Sequence, residues 1–215
     1  MIRAVLFDFD GVISESFDVK TRAFAQLFEG YGPEVVEKVV AHHLAHGGVS
    51  RFVKIRHYHQ AFLGKELDEA KLDEWCRRFS DIVLDAVVAA PFVPGALELL
   101  EECHKRYACF VVSGTPQEEM EQIVSRKGLG RYFVEIHGSP RTKVEIVRQI
   151  MTAHHFRPDE AVFVGDAMAD YDAAHEAGLH FIGRVPAGHP NIFPSEALVV
   201  ADFTNLSLES LCTAG

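Results

Sequence analysis

Residues 2–11 read IRAVLFDFDG. The run Ile2–Phe9 has the length and apolar character of a strand that is covered on both faces, as in a parallel sheet. Two acids, Asp8 and Asp10, mark its end, immediately before Gly11. Residues i and i+2 of a strand point to the same side, and open α/β sheets bind ligands at the carboxyl ends of their strands. This stretch therefore predicts a parallel sheet with an acidic site at the end of its first strand.

Three later segments have the same strand-like composition, and helical patterns separate them. The further strands are predicted at Tyr107–Ser113, Ala161–Gly165 and Leu179–Val185. The helices are predicted at Pro94–Lys105, Pro116–Lys127, Pro140–His154 and Met168–Ala177. Because strands that alternate with helices form βαβ units, we predict an α/β fold with a doubly wound parallel sheet.

The segment between about Ser14 and Val88 breaks this alternation, because it contains helical patterns and no strand pattern. Apolar residues recur there at the three- and four-residue spacing of amphipathic helices. The four predicted helices are Val19–Phe28, Glu34–His46, Arg51–Leu63 and Leu67–Val88. An all-helical insert of about 75 residues is large enough to form a small domain. We therefore predict a core domain of residues 1–14 and 89–215 and a helical domain of residues 15–88.

The 215-residue chain carries 21 Lys and Arg against 31 Asp and Glu, a net charge of −10. This excess of acid disfavours nucleic acid as a partner, because a protein that binds it needs a basic face to displace counterions. The apolar runs are too short to cross a bilayer, so no membrane partner is expected. Cys76, Cys103, Cys109 and Cys212 are sparse and form no CxxC pair, and residues 1–4 lead directly into a strand. These features predict a cytoplasmic protein in which Cys76 and Cys109 pack as small apolar side chains.

Two pairs of acids stand at predicted strand ends. Buried carboxylates repel each other, so Asp8 and Asp10 need a compensating partner. A hard cation with oxygen ligands is one such partner, and an ordinary Asp-Gly turn is the alternative. Asp166 and Asp170 follow the strand Ala161–Gly165 at a spacing of about one helical turn. That spacing lets both carboxylates reach one cation, although acids are also common in the first turn of any helix.

Two further features favour an anionic ligand. Ser113 and Gly114 follow the second predicted strand, just before a helix whose free N–H groups attract anions. Thr115 is expected to cap that helix, with Pro116 in its first position. Lys143 lies in the first turn of the next predicted helix, where a cation is unfavourable unless solvent or an anion compensates it.

Taken in order, these elements resemble the haloacid dehalogenase-like hydrolase superfamily, in its phosphatase branch. The first family motif is matched by residues 7–12 (FDFDGV), the second by residues 111–114 (VVSG), the third by Lys143, and the fourth by Gly165-Asp166 through Asp170. The resemblance covers nearly the whole chain. It implies a three-layer, Rossmann-like core with the helical insert as a cap over the site.

The resemblance also implies a role for each matched residue. Asp8 is implied as the nucleophile that forms an aspartyl-phosphate, and Asp10 as the acid that protonates the leaving oxygen and then activates water. The implied Mg²⁺ ligands are Asp8, Asp166, the backbone carbonyl of Asp10, and Asp170 directly or through water. The implied phosphate-binding groups are Ser113, the Gly114 N–H and Lys143. An acid at position 10 favours a phosphate substrate, because dehalogenases and phosphonatase-like members lack it.

One part of the insert has a local basic charge. No acid occurs between Lys38 and Lys65, and the loop GGVSR at residues 47–51 lies inside that window. The loop resembles the cap loop of β-phosphoglucomutase-like members, which implies that Ser50 and Arg51 contact substrate. Arg51 would then bind phosphate or carboxylate through two hydrogen bonds.

Other interpretations of this window stay open. A solvated basic face is the alternative for Arg51. The same solvated face is the expectation for Lys54, Arg56 and Lys65. His42 and His46 have the i, i+4 spacing of two zinc ligands, but no third ligand has a matching spacing.

We therefore predict a Mg²⁺-dependent phosphatase that hydrolyses a small phosphorylated metabolite, a sugar or hydroxy-acid phosphate, through an aspartyl-phosphate. A β-phosphoglucomutase-like phosphomutase is the first alternative, which the Ser50-Arg51 loop keeps open. A non-catalytic phosphate-binding regulatory protein is the second alternative, which the complete set of acids disfavours. The expected assembly is a monomer or a small homo-oligomer.

Overall fold

The computed structural model describes residues 1–206, and Cys212 lies outside that range. Six strands form one sheet: β1 (Ala4–Phe7), β2 (Ala108–Pro116), β3 (Glu135–Ser139), β4 (Ala161–Gly165), β5 (His180–Arg184) and β6 (Leu198–Val200). They lie in the order β3-β2-β1-β4-β5-β6, and all neighbours are parallel. This is the strand order of a doubly wound, Rossmann-like sheet, so the predicted fold class is confirmed.

Four helices follow β1 before the sheet resumes: α1 (Phe17–Phe28), α2 (Pro33–Ala45), α3 (Arg51–His57) and α4 (Glu69–Ala89). We call Phe17–Ala89 the helical insert. A wider π-type turn, Tyr58–Phe62, continues α3. The insert contains no strand over its described length, as predicted, while its separation from the core as a domain stays a prediction. None of the described helices is long and apolar enough to cross a membrane.

The remaining helices complete a three-layer arrangement. They are α5 (Ala96–Cys103), α6 (Gln117–Arg126), α7 (Lys143–Ala153) and α8 (Met168–Ala177). Side chains alternate across β1, as they do along any strand. Val5 and Phe7 belong to the apolar cluster that includes α5 and α6, whereas Ala4 and Leu6 belong to the cluster formed with α7 and α8. The sheet is therefore buried on both faces, which explains its continuously apolar central strands.

The helical insert shares the apolar cluster on the α5 and α6 face. Phe24 of α1 and Val87 of α4 are buried in the same cluster as Phe7 and Ile123. Helix α4 packs against α6, and the Lys127 ammonium donates to the Val88 carbonyl, 3.1 Å away. The insert is therefore packed onto the core by a continuous apolar contact.

The sequence did not predict β3 and β6, which are the two edges of the sheet. Strand β3 contains Glu135 and His137, and β6 begins with Leu198, which is 42% exposed. An edge strand is covered less completely than a central one, so it lacks the continuous apolar run that predicts a strand. The four strands that were predicted all occur, with ends shifted by at most three residues.

The described cysteines are free thiols in the interior. Burial raises the pKa of Cys76 and the pKa of Cys109 to about 12. A thiol with so high a pKa stays neutral and packs as an apolar group. The predicted packing role of Cys76 and Cys109 is confirmed.

Candidate active site

The carboxyl ends of the central strands bring several predicted site residues together. Asp8 follows β1, Gly114 lies near the end of β2, and Asp166 follows β4. All three line a cavity of about 50 Å³, whose opposite wall belongs to the helical insert. This edge of a doubly wound sheet is where its ligands bind.

An acid cluster with one lysine forms the floor of the site. Asp8, Asp166 and Asp170 each place a carboxylate oxygen within 4.8 Å of the other two. Lys143, the first residue of α7, forms ion pairs with Asp8, at 3.0 Å between Nζ and Oδ1, and with Asp170. Asp170 also accepts hydrogen bonds from the backbone N–H groups of Asp166 and Ala167. The structure thus joins Lys143 with three of the four predicted acids.

Burial and repulsion change the acidity of this cluster. Burial raises the pKa of Asp8 to about 7, against the opposing Lys143 charge. Burial and the carboxylates of Asp8 and Asp170 raise the pKa of Asp166 well above its ordinary value. Burial acts to lower the pKa of Lys143, but Asp170 and Asp8 outweigh it and raise that pKa. Lys143 is therefore a firmly charged ammonium, and it compensates the three acids only in part.

The uncompensated charge of the cluster fits a divalent cation. Clustered carboxylate oxygens are the ligands that Mg²⁺ prefers. Within residues 1–206, Asp166 forms no ion pair with a basic side chain, although it is adjacent to two other acids. Asp8, Asp166 and Asp170 are therefore the side chains that would hold the ion. Ligation by the backbone carbonyl of Asp10 stays a prediction.

The Asp10 carboxylate faces away from the acid cluster, toward the insert. It accepts hydrogen bonds from Ser16 Oγ at 2.6 Å and Thr115 Oγ1 at 3.2 Å, and it forms an ion pair with Lys20 of α1. Burial acts to raise the pKa of Asp10, but the Lys20 charge and these hydrogen bonds outweigh it and lower that pKa. An Asp10 carboxylate held in this way is ionised and fixed in position.

The structure corrects the expected role of Thr115. Thr115 does not cap α6, because β2 continues through Pro116 and the helix begins at Gln117 without a side-chain cap. The extended backbone turns the Thr115 hydroxyl toward Asp10 instead. Ser113 is buried, and its Oγ accepts a hydrogen bond from the Thr115 N–H at 3.1 Å.

The loop before α3 lies directly against the core site. Gly48 has a φ of +71°, and a Cβ there would lie 3.2 Å from Lys143 Nζ and 3.3 Å from the Ala167 Cβ. A Cβ on Gly114 would lie 2.6 Å from the Gly48 carbonyl oxygen. The two glycines therefore allow the insert and the core to meet backbone to backbone. Ser50 follows as the cap of α3, where its Oγ accepts a backbone hydrogen bond.

Arg51 connects the insert to the core. Its guanidinium donates to both Glu119 carboxylate oxygens, at 2.5 and 2.7 Å, and to Ser80 Oγ at 2.6 Å. It also lies 4.5 Å from the centre of the Phe79 ring. Arg51 is 4% exposed, so the alternative of a solvated position is wrong. A contact between Arg51 and substrate stays a prediction.

Three residues of the insert wall were missed as site residues: Lys20, His43 and Lys54. The expectation of a solvated Lys54 is wrong, because its side chain is buried against the cavity. Lys54 is three residues after Arg51 and therefore on the same helix face, and Lys20 is four residues before the buried Phe24. Helical spacing is the signal that points to both lysines. The expected exposure is confirmed for Arg56 and Lys65.

Three histidines of the helical insert form a ring stack. The His42 and His46 rings lie 3.9 Å apart and almost parallel, and His57 stacks on the other side of His42 at 4.3 Å. His46 Nδ1 is 2.9 Å from the His42 carbonyl oxygen. Among residues 1–206, the acid cluster is the only set of three or more His, Cys, Asp or Glu side chains that can share one metal ion. The zinc alternative therefore has no third ligand in this geometry.

Residues 5–184 match the family model described as haloacid dehalogenase-like hydrolase. The chain belongs to the haloacid dehalogenase-like hydrolase family. The match begins within β1 and ends with β5, so it includes the acid cluster and the helical insert.

Relatives of this haloacid dehalogenase-like hydrolase include named phosphatases. It is 26% identical over 213 residues to a phosphoglycolate phosphatase of Haemophilus influenzae, covering 93% of this chain and 94% of that one. A phosphoglycolate phosphatase of Synechococcus elongatus is 22% identical over 186 residues, which cover 83% and 81% of the two chains. The family and these relatives confirm the prediction of a phosphatase-type hydrolase.

The structure resembles that of β-phosphoglucomutase from Clostridium difficile. The TM-score is 0.77 over 99% of this chain and 96% of that chain, at 20% identity. At this identity, the likeness shows that the two proteins share a fold, and it carries no information about activity.

Proposed function

We propose that this hydrolase is a Mg²⁺-dependent phosphatase that acts on a small phosphorylated metabolite, a sugar or hydroxy-acid phosphate, through an aspartyl-phosphate on Asp8. The observation that carries the proposal is the buried acid cluster, in which Lys143 bridges Asp8 and Asp170 and two of the acids, Asp8 and Asp166, line the cavity. The phosphoglycolate phosphatase relatives support the hydroxy-acid phosphate.

The residues around Asp8 are suited to bind a phosphoryl group. The Lys143 ammonium, 3.0 Å from Asp8 Oδ1, would bind a phosphoryl oxygen beside the nucleophile. The Gly114 N–H and the Ser113 hydroxyl at the end of β2 would bind the others. Fixed donors of this kind stabilise the charge that spreads over the phosphoryl oxygens in the transition state.

Asp8 would act as the nucleophile, and Asp10 as the general acid and base. The Asp8 carboxylate attacks phosphorus, and the phosphorus–oxygen bond to the leaving group breaks as the aspartyl-phosphate forms. Asp10 gives its proton to the leaving oxygen and later takes one from the water that attacks the aspartyl-phosphate. The lowered pKa of Asp10 describes the ligand-free pairing with Lys20. Entry of substrate must therefore weaken that ion pair, and Asp10 must take up a proton from solvent before it acts as the acid. When bound by Asp8, Asp166 and Asp170, Mg²⁺ supplies positive charge that offsets the repulsion between carboxylate and phosphate.

Two alternatives are less well supported. The phosphomutase alternative relied on Arg51, but Glu119 and Ser80 already bind its guanidinium. Incubation with a hexose 1-phosphate separates mutase from phosphatase, because a mutase yields the isomer and a phosphatase yields free phosphate. A non-catalytic binding protein has no need of the complete acid cluster with its raised pKa at Asp8.

The proposal extends to the setting of the enzyme. We infer a cytoplasmic location from the free, buried cysteines. The partner is the small phosphorylated metabolite itself, and the assembly is a monomer or a small homo-oligomer. Residues 15–88 would act as the cap domain over a core of residues 1–14 and 89–215.

Replacement of the nucleophile tests the proposal. Asp8→Asn is expected to lower Mg²⁺-dependent turnover of p-nitrophenyl phosphate by at least about 10³-fold, because the amide cannot form the aspartyl-phosphate. Thermal unfolding of the same variant checks that the fold is intact. In acid-quenched wild-type enzyme, mass spectrometry should find one added phosphoryl group on the peptide that contains Asp8. Near-normal turnover by a folded Asp8→Asn enzyme contradicts the assignment.

A further inference from the structure

Of the lysine and arginine side chains in the cavity lining and the adjoining acid cluster, all but one form an ion pair with a carboxylate of residues 1–206. Lys20 pairs with Asp10, and Arg51 pairs with Glu119. Lys143 pairs with Asp8 and Asp170. Lys54 lines the same cavity and forms no ion pair with a carboxylate within residues 1–206.

Lys54 is also one of the most buried charged residues of the protein. It is 2% exposed, and its Nζ lies 2.9 Å from Nδ1 of His43. Burial and the Lys54 charge lower the pKa of His43 to about 3, so the imidazole is neutral and supplies no negative charge. The Phe24 ring, whose centre is 5.9 Å from Nζ, offers only a weak cation–π contact.

A buried ammonium with a neutral partner is costly for the ligand-free enzyme. Burial, and then the charges of Lys20 and Lys143, lower the pKa of Lys54 to about 7. A charged group in such a position is strongly stabilised by any anion that enters beside it. No carboxylate of residues 1–206 fills this role, so we look for the anion in a ligand.

We propose that Lys54 binds a second anionic group of the substrate, separate from the phosphoryl group that Asp8 attacks. This inference rests on the proposed phosphatase function and specifies its substrate class, a small phosphate ester with a carboxylate or a second phosphate. Asp8 and Lys54 both lie on the walls of this one cavity, so a single small ligand can contact both residues. Arg51 is the residue that the sequence favoured for this task, but Glu119 neutralises it.

Three phosphate esters test the inference. They are 2-phosphoglycolate, which adds a carboxylate, ethylene glycol bisphosphate, which adds a phosphate, and ethyl phosphate, which adds neither. We expect the wild-type enzyme to prefer one of the two doubly anionic esters over ethyl phosphate in kcat/KM. Lys54→Met should reduce that preference by about 10- to 100-fold, the usual effect of losing one charge-assisted hydrogen bond. The better of the two esters identifies the source of the second anion.

Two control variants make the result specific to the Lys54 charge. Lys54→Arg keeps the cation and should retain part of the preference. Lys38→Met removes an exposed lysine of the same insert, one whose partner is Glu34, and should leave the preference unchanged. Circular dichroism checks the fold of each variant, and Lys54→Gln replaces Lys54→Met if the latter does not fold.

The outcomes separate this inference from the proposed function. The inference is overturned if wild type prefers neither doubly anionic ester, or if folded Lys54→Met keeps the full preference. If wild type hydrolyses neither these esters nor p-nitrophenyl phosphate, the phosphatase proposal fails. Titration calorimetry with 2-phosphoglycolate, ethylene glycol bisphosphate and ethyl phosphate then tests the role of Lys54. The inference requires that wild type binds a doubly anionic ester more tightly than ethyl phosphate. It also requires that Lys54→Met abolishes this difference in affinity.

Discussion

Asp166 offers the most direct test of how much the acid cluster destabilises the metal-free folded protein. It is adjacent to Asp8 and Asp170, and no basic side chain within residues 1–206 forms an ion pair with it. Burial and those two carboxylates raise its pKa well above the ordinary value. A carboxyl whose pKa is raised by folding stabilises the folded state at low pH, and this contribution is lost as the pH rises through the raised pKa. At neutral pH, where Asp166 of the unfolded chain is ionised, the raised pKa therefore destabilises the metal-free fold.

Asp166→Asn is accordingly expected to raise the Tm of the protein in EDTA at neutral pH. The same change should abolish the Mg²⁺-dependent rise in Tm that we expect for wild type, which corresponds to about 2.7 kcal/mol of stabilisation at one hundred times Kd. Differential scanning fluorimetry with and without MgCl₂ measures both effects. Asp172→Asn removes an exposed acid from the same helix and should change neither. A variant that is less stable in EDTA, or is still stabilised by Mg²⁺, contradicts this account of the cluster.

Residue chemistry was predictable where a strand end fixed the direction of a side chain. Asp8 and Asp166 follow continuously apolar strands, so their place at one edge of the sheet could be inferred from sequence. Lys54 lies in a helix, where an isolated lysine is normally solvated. Helical spacing places Lys54 on the same face as Arg51, but its burial depends on the packing of α3 against α4 and on the contact with His43, which local spacing does not determine. The sequence indicated Arg51 as a binding residue. It did not indicate the ion pair with Glu119, because the two residues are 68 positions apart in the chain.

At the scale of elements, the loop at residues 47–50 is the contact between insert and active site. Gly48→Ala is expected to destabilise the protein, because a left-handed residue with a side chain costs about 1–2 kcal/mol. The added Cβ would also lie within 3.3 Å of Ala167 and Ala169 and 3.2 Å from Lys143 Nζ. We therefore expect a lower Tm together with lower kcat/KM for p-nitrophenyl phosphate.

Gly64→Ala is the matched control for this contact. Gly64 also has a left-handed backbone, with φ of +62°, but nothing lies within 4 Å of its added Cβ. It should lose similar stability and keep wild-type kcat/KM, since only the backbone cost is shared. Equal losses of activity in both variants would show that the close approach of Gly48 to the core site has no role in catalysis.

The sequence predicted the fully buried strands more accurately than the strands at the edges of the sheet. Strand β4 is fully buried, and its predicted and observed ends coincide. Strand β3 forms an edge and mixes Glu135 and His137 with apolar residues, so no single-face pattern identified it. Helices of the insert were all found, because each has one apolar stripe, but α3 and the following π-type turn were predicted as one continuous helix.

At the scale of the whole molecule, the division into two domains stays a prediction, and the two predicted parts share one apolar cluster. An amphipathic stripe shows that a helix face is buried, but it does not identify the partner. The apolar cluster that contains Phe24 and Val87 of the insert also contains Phe7 and Ile123 of the core. The buried Arg51–Glu119 ion pair crosses the same boundary. A hinge between insert and core must therefore act against substantial buried contact.

This continuity predicts that insert and core unfold together. Trp75, the only tryptophan, lies in α4 and stacks on Phe28 at 5.2 Å, so its fluorescence reports on the insert. Hydrogen exchange of the β4 peptide reports on the core. In urea, both transitions should share one midpoint, because neither part buries its apolar surface without the other. Val87→Ala removes apolar volume from the shared cluster and should lower both midpoints equally. A Trp75 transition at clearly lower urea than that of β4 would show that the insert is an independently unfolding cap.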